Sequence, residues 1–106
     1  MVTIVDYGLG NLGSIANMLK RIGTESQVTS NPAVIAQANR LILPGVGHFD
    51  RAMEQLEKSQ LREVLDQKAL DEGVPVLGIC LGMQLLTCES EEGLRPGLGW
   101  VPAKTL

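Results

Sequence analysis

Metal-ligating residues are scarce in this sequence of 106 residues, which has two cysteines, one histidine and no C-x-x-C pair. A structural zinc site uses four Cys or His ligands, so the sequence offers too few obvious ligands for one. If Cys80 and Cys88 lie on one helix, their separation of eight positions corresponds to ~12 Å along its axis, too far for a disulfide. Both thiols are predicted to be reduced and free, and no metal or other cofactor is predicted.

Long apolar runs and an excess of positive charge are also missing. No run approaches the ~20 apolar residues that a transmembrane helix needs, and residues 1–6 lack the basic region of a signal peptide. With 9 Lys and Arg against 12 Asp and Glu, the net charge is −3, and no Lys/Arg stripe suggests nucleic-acid binding. The sequence thus predicts one small cytoplasmic domain with no membrane or nucleic-acid partner.

Short apolar runs alternate along the chain with segments whose apolar residues have helical spacing. Strands are predicted over residues 2–6, 24–29, 40–43 and 74–79, the third being ended by Pro44-Gly45. Helices are predicted over residues 11–22, 32–38, 49–58, 61–72 and 81–88. Residues 89–99 are predicted to be a loop, with another strand beginning at Trp100 and Val101. The alternation favours a parallel sheet covered on both faces, which binds ligands at the carboxyl ends of its strands.

A cysteine lies between two glycines at a predicted strand-to-helix turn, in the pentapeptide Gly78-Ile79-Cys80-Leu81-Gly82. This G-x-C-x-G pattern is the cysteine counterpart of the G-x-S-x-G nucleophile elbow. The helix N-terminus would favour a thiolate, and the backbone N–H after the cysteine could meet a developing oxyanion. Taken alone, the pentapeptide fits a core cysteine equally well. Cys88 has no such setting and is predicted to be a packing residue.

The third predicted strand is followed by Pro44-Gly45-Val46-Gly47, whose glycines allow the backbone to approach a ligand closely. Beside a nucleophile on the neighbouring strand, this segment would supply a second oxyanion donor; an ordinary turn is the alternative. His48 follows at once and could serve as a base for a cysteine. The interpretation favoured for it is a solvent-facing residue that opens a helix.

Residues 8–13 contain a formal G-x-G-x-x-G after the first strand, which is the dinucleotide-binding pattern. That pattern also needs an acid at the end of the second strand for the ribose. The second strand ends in Thr29-Ser30, and the nearby acid, Glu25, lies at its start. A loop that shapes a site or an interface is therefore favoured over a nucleotide-binding module.

Four segments together resemble class I glutamine amidotransferases, in the order and spacing of that family. They are residues 5–12 (VDYGLGNL), 43–47 (LPGVG), 78–86 (GICLGMQLL) and 97–101 (GLGWV). The first two resemble in particular the glutaminase subunits of histidine biosynthesis. The resemblance covers essentially the whole chain and implies a flavodoxin-like three-layer α/β sandwich with a mainly parallel sheet, incomplete at the C-terminus.

The resemblance also implies roles for individual residues. Cys80 would attack the side-chain amide of L-glutamine and release ammonia, without any cofactor. The N–H of Leu81 and the backbone of Gly45, Val46 and Gly47 would form the oxyanion hole. In this family that strand is thought to need a peptide flip, triggered by the partner, before the hole is complete.

Further positions match those that bind the substrate and the partner. Gly47, Gln84 and Glu92 would hold glutamine. Asn11 would face a (βα)₈-barrel cyclase or synthase subunit, which receives the ammonia through a tunnel.

One part of the family pattern is absent from these residues. The triad of the family is completed by a His-x-Glu far downstream of the cysteine, and His48 does not match it. Residues 1–106 are thus expected to be the N-terminal portion of an amidotransferase domain, inactive alone, with apolar surface left exposed at a sheet edge.

Two alternatives keep the same fold and change the function. A related subunit could supply ammonia for bacterial surface-sugar biosynthesis, which half a sequence does not separate from histidine biosynthesis. A chain without catalysis could serve only to dock a partner.

Overall fold

The computed structural model describes residues 1–80, 82, 85–86, 89–90, 97–100 and 104–105. Four parallel strands form its main sheet in the order β2-β1-β3-β4: β1 (Val2–Val5), β2 (Ser26–Thr29), β3 (Leu41–Gly45) and β4 (Val76–Cys80). The connecting helices are α1 (Leu12–Arg21), α2 (Pro32–Ala36), α3 (Phe49–Lys58) and α4 (Arg62–Asp66). This strand order is that of flavodoxin-like sheets.

The sheet is covered on both faces, as a parallel sheet of apolar strands requires. On one face, Ile15 and Leu19 of α1 pack with Ile4 and Ile42 of the two central strands. On the other face, α2, α3 and α4 bury a larger cluster that includes Leu43. The predicted three-layer sandwich is thereby confirmed, and its core is centred on β1 and β3, whose residues are all buried.

The helix starts follow from side-chain caps that the sequence provides. The Oδ1 of Asn31 accepts a hydrogen bond from the N–H of Ala33 at 2.9 Å, with Pro32 in the first turn of α2. The Nδ1 of His48 accepts one from the N–H of Asp50 at 3.1 Å at the start of α3. Helix α3 coincides with its predicted bounds.

Strand β3 continues through Pro44 and Gly45, so the predicted break there was wrong. The pairing between β1 and β3 ends at Ile42, whereas β3 stays paired with β4 as far as Gly45 and Cys80. Because β3 is paired on one side only beyond Ile42, the missing N–H of Pro44 interrupts no ladder with β1.

Most other elements differ from their predicted bounds by one or two residues at an end, and the segments after residue 88 differ more. Glu89–Ser90 (β5) pairs in parallel with Lys104–Thr105 (β6), so the predicted loop was wrong at its start. Trp100 lies in a bend and not in the strand predicted to begin there, and Val101 lies outside the described residues. Two-residue strands are too short to show a hydrophobic period, which explains both errors.

The predicted helix over residues 61–72 divides into two parts. Helix α4 is followed by a π-helical turn at Gln67–Asp71, where the N–H of Glu72 bonds the carbonyl of Gln67 at 3.0 Å. Of the helix predicted over residues 81–88, Gly82 and Leu85 are helical and Leu86 lies in a turn. Its other residues, Cys88 among them, lie outside the described residues.

Hydrogen bonds join residues 97–100 to α4 and to Leu85. The indole N–H of Trp100 donates to Oδ1 of Asp66 at 2.6 Å, and the N–H of Leu98 donates to the carbonyl of Leu85 at 2.8 Å. The Leu98 side chain is buried in the larger core cluster. Within the part of the chain that the structure describes, no helix is long and apolar enough to span a bilayer.

Lys68 is a buried cation in the π-helical turn, and its ammonium joins two elements. It donates to the carbonyl of Ala36, the last residue of α2, and to Oε1 of Glu72, both at 2.9 Å. A cation at a helix C-terminus satisfies a carbonyl that has no helical partner and interacts favourably with the helix dipole. The contact therefore fixes α2 against the π-helical turn.

We expect Lys68→Met to lower the free energy of unfolding by about 1–3 kcal/mol, because the Ala36 carbonyl loses its charged donor while the aliphatic stem is retained. Lys58→Met is the matched control, since Lys58 forms an exposed i,i+4 ion pair with Glu54 and such pairs contribute about 0.3–0.5 kcal/mol. Urea denaturation measures both values. Equal losses in the two variants would contradict the role assigned to Lys68.

Candidate functional site

The carboxyl ends of β1, β3 and β4 lie at one edge of the sheet because the three strands are parallel. The register places Gly45, the last residue of β3, beside Cys80, the last residue of β4. The nucleophile candidate and the first candidate oxyanion residue are thus brought together at the level of the backbone.

The turn after β4 lies in close contact with β3. Gly82 is buried and helical, and a Cβ added to it would lie 1.9 Å from the carbonyl oxygen of Leu43 and 2.8 Å from its carbonyl carbon. No side chain fits in that space, and both atoms belong to the backbone of a central strand. The second glycine of the G-x-C-x-G pattern is therefore required by the packing of the turn against β3.

The segment after β1 folds onto the end of β3. The hydroxyl of Tyr7 donates to the carbonyl of Pro44 at 2.5 Å. Gly10 has a φ of +121°, and a Cβ there would lie 2.9 Å from Cβ of Pro44. The N–H of Gly8 donates to the carboxylate of Asp6 at 3.0 Å.

These contacts also bear on the G-x-G-x-x-G pattern. A dinucleotide site uses its glycines to bring the backbone close to a pyrophosphate. Here Gly10 makes its close approach to Pro44 of the same chain, and Gly13 is an exposed residue within α1. The nucleotide-binding alternative is therefore not favoured.

Beyond Gly45 the backbone emerges from the core. Val46 is 47% exposed. Gly47 is exposed with a φ of +90°, and no described atom lies within 4 Å of the position a Cβ would take. A left-handed conformation favours glycine at this position, which lets the backbone groups of residues 46 and 47 face solvent.

A groove of about 280 Å³ runs beside this segment, between α1 and the ends of β3 and β4. Asn11 and Ser14 form its rim, while Met18, Val46 and Ile79 supply much of its apolar lining. A larger depression of about 580 Å³ lies near Met1 and Glu25, and none of the candidate site residues lines it. Of the two cavities, the groove is the one that adjoins the described part of the candidate site.

His48 is exposed, and its Nδ1 accepts the hydrogen bond that begins α3. The interpretation of His48 as a solvent-facing helix cap is confirmed. Among the predicted site residues, the structure places Gly45, Val46, Gly47, Asn11 and the backbone of Cys80 at one edge of the sheet. Leu81, Gln84 and Glu92 lie outside the described residues.

Tyr7 is a candidate functional residue to which the sequence patterns assigned no role. Its side chain is 4% exposed, and burial raises its pKa well above the usual value near 10. A tyrosine beside a glycine-rich loop was visible in the sequence. The partner of its hydroxyl was not, since Pro44 is 37 residues away in the chain.

Comparisons with known proteins agree on one family. A family profile described as glutamine amidotransferase class-I matches residues 3–98. Imidazole glycerol phosphate synthase subunit HisH 2 of Methanococcus maripaludis is 51% identical over 106 residues, which are 100% of this chain and 52% of that relative. Subunit HisH of Bdellovibrio bacteriovorus is 50% identical over 104 residues, which are 98% of this chain and 51% of that relative.

A solved crystal structure of a glutamine amidotransferase shares the fold, with a TM-score of 0.72 and 24% identity over 93% of this chain and 52% of that one. This likeness confirms the predicted flavodoxin-like sandwich. The chain spans about half the length of the curated relatives that it matches.

Because Gly82 lies so close to β3, adding a single methyl group at this position is predicted to lower the free energy of unfolding substantially. Gly82→Ala is expected to destabilise the protein by roughly 1–3 kcal/mol or more, because the added Cβ overlaps a central backbone carbonyl. Gly13→Ala is the matched control: it lies on the exposed side of α1 with open space around it. It should be neutral or stabilising by up to about 1 kcal/mol. Thermal and urea denaturation compare the two, and a Gly82→Ala variant as stable as the control would refute the contact.

The buried hydroxyl of Tyr7 predicts an alkaline limit of stability. Because its pKa is raised in the folded state, the contribution of Tyr7 is fully present below its unfolded pKa of about 10 and is lost as pH rises through the folded pKa. Tyr7 is the only tyrosine, so the tyrosinate absorbance band reports it alone. We expect that band to appear only above pH ~10 in the folded protein. Tyr7→Phe should lose less stability between neutral and alkaline pH, and titration at the ordinary pKa would contradict the burial.

Proposed function

We propose, from the premise that this chain belongs to the class I glutamine amidotransferase family, that it forms the nucleophile-bearing portion of an imidazole glycerol phosphate synthase glutaminase. Residues 1–106 would be the N-terminal portion of the amidotransferase domain. The reaction would hydrolyse L-glutamine to glutamate and ammonia, and the ammonia would pass to a cyclase subunit in histidine biosynthesis. The names of relatives about half identical over the whole chain support this assignment.

The observation that carries the proposal is the arrangement of β3, β4 and the turn after β4. Cys80 ends β4 beside Gly45, and Gly82 packs directly on the Leu43 carbonyl. A cysteine at a tight strand-to-helix turn is in the setting that favours a thiolate and exposes it at the edge of the sheet.

The chemistry proposed for this arrangement is acyl transfer to sulfur. The Cys80 thiolate forms a C–S bond to the side-chain carbonyl carbon of glutamine, and the carbonyl oxygen becomes an oxyanion. The backbone N–H of Leu81 and the backbone of residues 45–47 would stabilise that oxyanion. The C–N bond then breaks, the nitrogen leaves as ammonia after taking a proton, and water hydrolyses the thioester to glutamate and free thiol.

Protonation of the leaving nitrogen and activation of the attacking water need a general acid and a general base. The proposal does not assign these roles to His48, because its Nδ1 caps α3. General acid–base catalysis contributes about 10²–10⁴-fold. A thiolate at a helix N-terminus could still attack a strong electrophile without it. Residues 1–106 alone are therefore proposed to form an adduct but not to turn over efficiently.

Substrate and partner are proposed to approach from the exposed end of β3. Gly47, with its backbone open to solvent, would hold glutamine together with Gln84 and Glu92. Asn11, exposed on the rim of the neighbouring groove, would face a (βα)₈-barrel cyclase subunit in a cytoplasmic heterodimer. The alternative partner, a synthase of bacterial surface sugars, is distinguished by testing which synthase the protein activates.

Labelling with an electrophilic ketone analogue of glutamine tests the nucleophile. We expect peptide mass mapping to find the label on Cys80 and not on Cys88, with protection by excess glutamine. Cys80→Ala should abolish labelling, because the attacking sulfur is removed, whereas Cys88→Ala, the matched control, should keep it. Labelling of Cys88, or labelling of Cys80 that glutamine does not suppress, would reject the proposed glutaminase site.

A further inference from the structure

Tyr7 makes the one directional contact that the structure describes between the loop after β1 and the end of β3. Its ring lies in the larger core cluster, and its hydroxyl donates to the Pro44 carbonyl at 2.5 Å. The tyrosine side chain is rigid once its ring is buried. The hydroxyl is therefore held at a fixed place relative to the core.

The hydrogen bond acts on the peptide that joins Pro44 to Gly45. A peptide unit is planar, and its carbonyl oxygen and N–H point in opposite directions. A donor that fixes the Pro44 carbonyl therefore also fixes the direction of the Gly45 N–H. Gly45 lies next to Cys80 in the register of the sheet.

Steric contacts also restrict the Pro44–Gly45 peptide, but they do not orient it through a hydrogen bond as the Tyr7 hydroxyl does. Gly10 lies against the Pro44 ring, and Gly82 lies against the Leu43 carbonyl. These contacts restrict where the strand end can move. They supply no donor to the Pro44 carbonyl. Pairing with β4 holds the Gly45 side of the peptide, and the Tyr7 hydroxyl holds its carbonyl side.

We propose that Tyr7 is a positioning residue, whose hydroxyl sets the orientation of the Pro44–Gly45 peptide beside Cys80 and joins the loop over residues 8–11 to that peptide. The effect on the reaction rests on the proposed function. The orientation of the peptide does not, and it is measured separately. Displacement of the loop, for example by a partner bound at Asn11, would act on the strand end through this hydroxyl.

Tyr7→Phe removes the hydroxyl and keeps the ring, and NMR measures the first consequence. The carbonyl carbon signal of Pro44 and the amide signal of Gly45 are expected to shift, because one end of their shared peptide loses its donor. Thr3→Val is the matched control. It removes a buried hydroxyl from β1, where Thr3 accepts from the Gln27 amide at 3.0 Å and pairs with Leu41 rather than with the end of β3. It should leave both signals in place.

The second readout is the kinetics of adduct formation with the glutamine analogue. For Tyr7→Phe we expect the maximal rate of adduct formation at Cys80 to fall about tenfold, less than the loss of a whole oxyanion donor, which costs about 10²–10³-fold. The analogue concentration at half-maximal rate should change less than about twofold, since uniform binding is untouched. Thr3→Val should keep both values. A fall of the maximal rate in Tyr7→Phe alone would then not be explained by a general loss of stability on removal of a buried hydroxyl.

The outcomes separate the two proposals. Unshifted Pro44 and Gly45 signals in Tyr7→Phe overturn the positioning role outright. Shifted signals with an unchanged maximal rate overturn its effect on the reaction. If the wild-type protein is not labelled at Cys80, the proposed function fails, and the NMR result still decides whether Tyr7 orients the peptide.

One measurement needs no variant and covers the case in which Tyr7→Phe does not fold. Tyr7 is the only tyrosine, so a slowly exchanging phenolic hydroxyl proton in the folded protein can be assigned to it alone. A buried donor bonded to a carbonyl should give such a signal, with a contact to the Pro44–Gly45 peptide. Its absence from the folded protein would overturn the proposal.

Discussion

The close approach of the turn after β4 to the carbonyl of Leu43 is the constraint on which the candidate site depends. With only hydrogen atoms as its side chain, Gly82 can be helical two residues after the end of β4 while its Cα lies against the carbonyl of Leu43. The same contact prevents the end of β3 from moving toward the turn. The nucleophile candidate and its oxyanion segment are therefore held at one spacing by backbone packing rather than by side chains.

That packing depends in turn on how the sheet is covered. The face with α2, α3 and α4 has a large cluster, and the Lys68 ammonium joins α2 to the π-helical turn after α4. The face with α1 has a smaller cluster, and Leu77 of the edge strand β4 remains 58% exposed. Exposed apolar surface at a sheet edge was expected, because residues 1–106 are expected to be the N-terminal portion of a longer domain.

Sequence patterns predicted those features that depend on local periodicity. Helix α3 was predicted to the residue because its apolar spacing and flanking cap agree, and Asn31-Pro32 marked the start of α2. The extent of β3 was not predictable in this way, since Pro44 is tolerated only where the pairing with β1 has already ended. The π-helical turn is a shift of hydrogen-bond partner by one residue, and it leaves no mark on hydrophobic spacing.

The features of the candidate site also divide into those that local sequence patterns predict and those that depend on the assembled sheet. The glycine and cysteine spacings selected segments that the fold brings to one edge of the sheet, because tight turns restrict residue type locally. The reason for glycine at position 82 required the register of β3 and β4, and the role of Tyr7 required a contact across 37 residues. Long-range contacts of this kind follow from the assembled sheet, so they appear only once the strand order is known.

At the end of β3 the backbone is held by contacts at Gly45 but is exposed at Gly47. This difference limits which part of the backbone a partner could reorient. Gly45 is buried, and its peptide is held by the Tyr7 hydroxyl. Gly47 is exposed, has a left-handed φ and has no described atom packed where its Cβ would be. Reorienting the backbone at residues 46 and 47 breaks none of the contacts described here, whereas reorienting it at Gly45 requires a buried hydrogen bond to be broken. A partner that completes the proposed oxyanion hole would therefore act at low cost beyond Gly45, while the Pro44–Gly45 peptide keeps its place.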